Sequence, residues 1–202
     1  MQGNYAAPQS SQTSVTVPFS VAQYAGDLIV VVAGWRDSTA VVSTVTDTSG
    51  NAYARAMEPT IVKGALSQAI YYAKNIKASA ANAVTVTFSA PATVPDIRIL
   101  EYSGIDVNNP IDATSARSGD GSTAHSGGAN TTHATDLLFA ADVTRTQTIG
   151  PGSGFTSRIL TSPDGDIAED RVVTTAGNYK ATANISPSGL WIMQMVAFRG
   201  AQ

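Results

Sequence analysis

Cysteine is absent from the 202-residue chain, and charged side chains make up only 13% of it. Without cysteine there is no thiol nucleophile, thiolate metal site or disulfide, and the sequence carries no sign of its redox compartment. The 12 Lys and Arg residues are scattered, so no basic stripe points to a nucleic-acid partner. No apolar run approaches the roughly 18 residues of a membrane-spanning helix, and we predict no membrane insertion.

Side chains that commonly carry catalysis are also scarce. His125 and His133 lie in a polar, glycine-rich segment without a metalloprotease helix or a nucleophile elbow, so we expect both to be exposed loop residues. A glycosidase needs only two carboxylates across a cleft. The candidate carboxylates are Glu101, Glu169, Asp170 and Asp37. We predict that the protein is not an enzyme and keep a glycoside hydrolase as the third alternative.

Short runs rich in β-branched residues recur between turn signals, and segments with a helical period are missing, which predicts an all-β fold. The predicted strands are residues 14–19, 27–35, 41–46, 52–56, 67–73, 83–89, 96–102, 136–144, 155–160, 167–174, 178–183 and 190–198. Each half of the chain alone would expose apolar strand faces. We therefore expect one domain over residues 1–202, a two-sheet antiparallel β-sandwich of jelly-roll type.

Several segments carry more detailed predictions. Pro18 lacks a ladder donor, so residues 14–19 are expected at a sheet edge, whereas the apolar residues 27–35 are expected to be buried on both sides. The turn at residues 47–51 predicts a hairpin between its flanking strands. Residues 118–128 have the composition of a flexible linker. Met1 directly before a Gln- and Ser-rich segment suggests a domain excised from a larger secreted protein.

Some polar residues fall within apolar strands. Alternation along residues 96–102 places Arg98 and Glu101 on opposite faces, each among hydrophobic neighbours. Gln68 and Gln194 are in the same position. Unpaired burial of such groups is costly, so we expect partners for Glu101, Gln68 and Gln194. Two interpretations stay open: a satisfied structural network, or the floor of a polar ligand cleft.

Aromatic residues give another indication of a binding site, because sugars stack on Trp and Tyr while nearby polar groups bond their hydroxyls. Trp35 ends a predicted strand, and Asp37 follows in the loop. Tyr71 and Tyr72 point to opposite faces, so one of them is a candidate for an exposed sheet. Trp191, among methionines and isoleucine, is expected in the core.

Calcium is the metal we consider, because hard cations prefer several oxygen ligands from flexible loops. Four carboxylates occur within seven residues of the chain. They are Asp164, Asp166, Glu169 and Asp170. The spacing is not that of an EF-hand, and ion pairing with Arg158 or Arg171 is the alternative to a structural calcium ion.

The order of motifs resembles the β-sandwich modules of large bacterial secreted and cell-surface proteins. The matching segments are PQ at 8–9, AGDL at 25–28, GW at 34–35, VTDTSGNAY at 45–53, IYYA at 70–73, NAVTVTF at 82–88, EYSG at 101–104, GF at 154–155, ED at 169–170 and WIMQM at 191–195. They cover nearly the whole chain but mark strands and turns. The resemblance implies a secreted, extracellular accessory module of jelly-roll type, similar to carbohydrate-binding modules, and it carries over no active residues.

The sequence leaves two functions open, one for a binding module and one for a structural module. The first is a non-catalytic carbohydrate-binding or surface-recognition module whose partner is a polysaccharide or cell-surface glycan. Its expected contacts are Trp35, Asp37, Tyr71 or Tyr72, with Arg98, Glu101 and Gln194 behind them. The second is a structural or adhesive module that forms homo-oligomers through sheet edges, with residues 15–19 as the pairing strand.

Overall fold

The computed structural model describes residues 1–201, and its regular elements are β-strands. In chain order they are β1 (Gln2–Ala6), β2 (Gln12–Pro18), β3 (Leu28–Trp35), β4 (Val42–Asp47), β5 (Ala54–Arg55), β6 (Thr60–Val62), β7 (Leu66–Ala73), β8 (Ala83–Ala92), β9 (Asp96–Tyr102), β10 (Ile111–His125), β11 (Ala129–Asn130), β12 (Asp136–Thr144), β13 (Thr148–Pro151), β14 (Thr156–Leu160), β15 (Ile167–Val173), β16 (Asn178–Tyr179) and β17 (Thr182–Arg199). Within residues 1–201 no helix has the length and apolar character needed to cross a membrane.

The strands form antiparallel sheets. Sheet A has the order β1-β9-β3-β7-β5, with β6 also paired to β7. Sheet B has the order β2-β8-β4, and sheet C the order β10-β17-β12-β15-β14, with β13 also on β17. A short pair, β11 and β16, completes the fold.

Sheet A lies between the other two large sheets. On one of its faces, Val31 and Ile99 share a core with Val86 of sheet B. On the other face, Leu100 shares a core with Phe139 of sheet C. Every residue of β3 is buried, because this strand is central in sheet A and is covered on both sides.

The expected antiparallel all-β sandwich is confirmed, but its two-sheet form is wrong because the principal sheets form three layers. The jelly-roll connectivity stays a prediction. The core between sheets A and C combines residues from both halves of the chain. One domain over residues 1–202 stays a prediction. Strands β9 and β12 have the bounds that the sequence predicted, and β2 is an edge strand as expected.

The predicted hairpin around residues 47–51 is wrong, since β4 belongs to sheet B and β5 to sheet A. The turn itself is present, and Gly50 has a φ of 68°. The carboxylate of Asp47 organises it by accepting hydrogen bonds from the backbone N–H groups of Ser49 (3.1 Å) and Asn51 (3.0 Å). The turn therefore carries the chain from one sheet to another.

The predicted linker at residues 118–128 is also wrong, because most of it belongs to β10, a 15-residue edge strand paired with β17. One of its glycines has a packing role. A Cβ atom on Gly119 would lie 2.6 Å from Cζ2 of Trp191, so the strand passes the indole ring only because Gly119 has no side chain. A polar, glycine-rich composition here reflects an edge strand whose residues are mostly half-buried or exposed.

Candidate functional site

Arg98 is fully buried between sheets A and C and contacts no solvent. Its Nε lies 2.8 Å from Oδ1 of Asp96, and its NH1 group donates to the carbonyl oxygen of Ile167 at 2.5 Å. Asp142 and Asp166 are buried in the same cluster and interact with the guanidinium charge. Because the side chain is fully buried, the predicted ligand contact at Arg98 is wrong, and the residue belongs to a buried charged cluster.

The pKa values of two carboxylates near Arg98 are raised above their ordinary values. Burial raises the pKa of Asp142 to about 6 and that of Asp166 well above its ordinary value, although the charge of Arg98 acts in the opposite direction on both. Asp142 accepts a hydrogen bond of 2.5 Å from the hydroxyl of Thr148. One guanidinium charge cannot balance several buried carboxylates. The cluster therefore favours a state in which some of the carboxyl groups are protonated.

Gln68 and Gln194 have the partners that the sequence led us to expect. The side-chain amide of Gln68 donates to the carbonyl oxygen of Ala141 at 2.9 Å and to Oε1 of Gln194 at 3.3 Å. Gln194 donates in turn to the hydroxyl of Thr60 at 3.0 Å. This pair joins sheets A and C.

Glu101 faces the opposite side of β9 and is 4% exposed. It accepts hydrogen bonds from the side-chain amide of Gln2 and from the backbone N–H of Tyr24, the latter at 3.2 Å. Burial and the neighbouring Glu101 raise the pKa of Asp27 to about 6. These residues line an open cavity of about 340 Å³, which we name the Glu101 cleft, and the Tyr24 side chain beside it is 73% exposed.

The four carboxylates proposed for calcium are held by different partners. Asp164 pairs with Arg36 (3.3 Å) and Asp170 with Arg158 (2.8 Å), the latter being one of the two ion pairs considered from the sequence. The other two carboxylates each accept a hydrogen bond from a different part of the chain. Asp166 accepts from the backbone N–H of Thr144 at 2.8 Å, and Glu169 accepts from that of Gly152 at 3.0 Å. Burial raises the pKa of Glu169 to about 8.

Residues 1–201 hold no cluster of three or more His, Cys, Asp or Glu side chains suited to a metal, and calcium stays a prediction.

The expectation of exposed loop residues is wrong for His125, which lies in a strand, whereas His133 lies in a loop and its side chain is 35% exposed. His125 ends β10, and its ring centroid lies 5.1 Å from that of the core residue Trp191. The Nδ1 atom of His133 lies 3.0 Å from a carboxylate oxygen of Asp112. Arg199 also contacts this carboxylate at 3.3 Å, so both histidines belong to packed clusters.

Trp35, a predicted ligand contact, is 1% exposed, so its ring offers no open surface for stacking. The side chain lies on the face of β3 that packs against sheet B, where its ring meets that of Phe88 edge-on at 5.4 Å. The Nε1–H group of the indole is buried and has no acceptor. Leaving such a donor unpaired costs about 1–3 kcal/mol.

Trp35 nevertheless lines a cavity of about 300 Å³ between β4 and the edge of sheet A formed by β5, β6 and β7. We name it the Trp35 cavity. Its lining residues are Trp35, Val41, Val42, Arg55, Pro59, Ile61, Ala69 and Tyr71. In β7, Ala69 and Tyr71 share the face that packs toward Trp35.

Charged and apolar groups meet at the rim of the Trp35 cavity. Arg55 pairs with Glu58 at 3.1 Å, and both side chains are substantially exposed, at 46% and 84%. Burial raises the pKa of Tyr71, which is half-buried, and Glu58 acts in the same direction. Ile61 and Val41 are also about half exposed. The arrangement offers a wall for an apolar ring face and hydrogen-bonding groups beside it.

Tyr72 and Asp37 lie outside this cavity lining. Tyr72 points to the other face of β7, as the sequence predicted, and packs against Phe198 with ring centroids 6.1 Å apart. Asp37 accepts hydrogen bonds from the backbone N–H groups of Thr39 (2.9 Å), Ala40 (2.9 Å) and Thr93 (2.7 Å). Although burial alone raises the pKa of Asp37, these bonds lower it, and the residue organises its loop.

Of the predicted contacts, the structure therefore brings Trp35 and Tyr71 together and assigns Arg98, Tyr72 and Asp37 to packing or loop structure. Sequence reasoning missed Arg55, Pro59 and Ile61, because β5 and β6 contain only two and three residues and show no usable alternation. Asp27 was also missed, since it opens an apolar strand segment.

The chain has no match among family models, curated proteins or solved structures.

Proposed function

We propose that this chain is a non-catalytic carbohydrate-binding module and that the Trp35 cavity is its ligand site. The observation that carries the proposal is the pairing of Trp35 and Tyr71 around a cavity of about 300 Å³ with the Arg55–Glu58 pair at its rim. Sugars bind where an aromatic face meets planar hydrogen-bonding side chains. The volume is at the lower end for small-molecule pockets, which suits one sugar ring.

A non-catalytic role is supported by the way the carboxylates are used. Glu101 bonds to Gln2, Glu169 to the backbone of Gly152, and Asp170 to Arg158. A glycosidase would need two such groups free to face one scissile bond. The low charge content and neutral polar surface suit the secreted or cell-surface location that we propose for the module.

The test is affinity electrophoresis of the purified chain on soluble polysaccharides, together with a glycan array. We expect retardation by at least one glycan and its loss in Tyr71→Ala. Tyr24→Ala is the matched control, because Tyr24 is an exposed tyrosine at the Glu101 cleft. Loss of binding in the Tyr24 variant alone would show that the ligand binds at the Glu101 cleft instead. No binding to any glycan would overturn the proposal.

A structural, self-associating module is the second candidate, and it rests on the edge position of β2, which pairs with β8 alone. Val15 and Val17 point into the core, so the pairing surface would be the backbone of this edge. Sedimentation velocity across a concentration series tests this function. Larger species that are dispersed by a Thr16→Pro substitution would support it, and a monomer at all concentrations would contradict it.

A further inference from the structure

Arg55 brings a positive charge to the lining of the Trp35 cavity, and the strand register places it beside Tyr71. The two residues lie directly opposite each other in the antiparallel pair of β5 and β7. Opposed residues in such a pair point to the same face of the sheet, with their Cβ atoms about 4.5–5.5 Å apart. Tyr71 packs on the face of sheet A that meets sheet B, so Arg55 belongs to the same side.

The ion pair that engages Arg55 is weak. Its Nη1 atom lies 3.1 Å from Oε2 of Glu58, and both side chains are substantially exposed. Exposed pairs of this kind contribute little to stability, because water screens the two charges. Glu58 lies outside the cavity lining. An anionic group of a ligand in the cavity can therefore replace Glu58 as the partner of the guanidinium at small cost.

The rest of the lining determines what must accompany that anionic group. It is aliphatic or aromatic and includes Val41, Val42, Pro59, Ile61 and Tyr71. A small free anion would lose its water against these side chains without compensation. The apolar face of a sugar ring packs well on them. A carboxylate fixed to a sugar ring meets both conditions, because a guanidinium binds a carboxylate through two parallel hydrogen bonds.

We propose that the ligand is an acidic polysaccharide, with the carboxylate of a uronic acid on Arg55 and its sugar ring against Tyr71 in the Trp35 cavity. This inference rests on the proposed carbohydrate-binding function and adds the class of sugar. The net charge of the chain is −3, so the attraction comes from Arg55 itself and not from the field of the whole molecule. Replacing this one residue should therefore remove the preference for an acidic sugar.

Methyl esterification of the ligand gives the decisive comparison. The ester keeps the ring, the linkage and the chain length of the oligomer, but it removes the negative charge. Hydrogen bonds to charged groups are stronger than those between neutral groups, by an amount that corresponds to about tenfold in affinity. The difference between acid and ester thus isolates the contact with the guanidinium.

The experiment is isothermal titration calorimetry of the full chain with oligomers of galacturonate, glucuronate, mannuronate or guluronate, each beside its methyl ester. We expect at least one acid to bind about tenfold more tightly than its ester. In Arg55→Gln this preference should disappear. In Glu58→Gln the affinity for the acid should rise, because the competing carboxylate is gone. Both substitutions are at exposed side chains, and thermal melts check that the variants are folded.

The results that would overturn the inference differ in what they leave standing. Equal affinity for acid and ester, with both lost in Tyr71→Ala, would reject the acidic sugar and retain a carbohydrate site at the cavity. A preference for the acid that survives in Arg55→Gln would contradict the role of the guanidinium. No heat signal with any oligomer, together with an empty glycan array, would reject the proposed function as well.

Discussion

Arg98 lies between sheets A and C without solvent contact, together with the carboxylates of Asp96, Asp142 and Asp166. The sequence showed that Arg98 interrupts an apolar strand, and it left open whether the residue belongs to a structural network or to a ligand cleft. It did not identify Asp142 and Asp166, because they come from β12 and from the residue just before β15, far from Arg98 in the chain. Only the packing of two sheets brings them to one guanidinium.

Replacement of Arg98 by Met tests this cluster. The variant leaves buried carboxylates without their cation, and we expect the free energy of unfolding to fall by about 3–5 kcal/mol in urea titrations at pH 7. Arg55→Met is the matched control, because its ion pair with Glu58 is exposed. That control should change stability by less than about 1 kcal/mol. Equal effects of the two substitutions would show that the buried cluster has no special role.

The burial of the Trp35 side chain is a second feature that the sequence did not predict. Its place at a strand end before a loop predicted a ligand contact, yet the residue is 1% exposed because β4 of sheet B covers that face of sheet A. The sequence identified Tyr71 and Tyr72 as the two candidates for an exposed tyrosine in this strand. The choice between Tyr71 and Tyr72 depends on which face borders the cavity, and alternation along one strand does not reveal that.

At the scale of elements, strong apolar patterns predicted strands well and turn signals predicted connections poorly. β3 and β9 were evident from buried runs. The turn after β4 has the residues of a hairpin, but the hydrogen bonds to Asp47 and the separate partner of each flanking strand direct the chain to a different sheet. β10 was missed because an edge strand with one exposed face needs few apolar residues.

Gly119 provides the test for β10. Gly119→Ala would place a Cβ atom 2.6 Å from Trp191, and we expect a loss of about 1–3 kcal/mol in unfolding free energy. The control is Gly150→Ala, because a Cβ atom at that position would meet nothing within 4 Å. A neutral Gly119→Ala variant in the same urea titrations would contradict the packing of β10 against the indole ring.

For the whole molecule, the buried acids predict how stability depends on pH. The native pKa values of Asp142 and Glu169 are raised to about 6 and about 8, so the folded protein holds protons that the unfolded chain releases near pH 4. Stability should therefore fall as the pH rises from about 4 to about 8. Asp37 and Asp47 have lowered pKa values, which makes stability fall again in stronger acid.

We expect the free energy of unfolding to be greater at pH 5 than at pH 8, by an amount on the order of 3 kcal/mol. Urea titrations at a series of pH values measure this. Glu169→Gln should flatten the curve between pH 6 and 8, since it removes the group with a pKa of about 8. A stability that rises steadily from pH 5 to pH 8 would contradict the acidity assigned to the buried carboxylates.

The central claim, a sugar site at the Trp35 cavity, has a direct spectroscopic test, because the chain contains only two tryptophans. Each gives one indole N–H signal in a proton–nitrogen correlation spectrum, and Trp191 lies in the core behind Gly119. On titration with the oligosaccharide that binds best, the Trp35 signal should shift progressively while the Trp191 signal stays in place. Saturable binding that leaves the Trp35 signal unmoved would contradict the account.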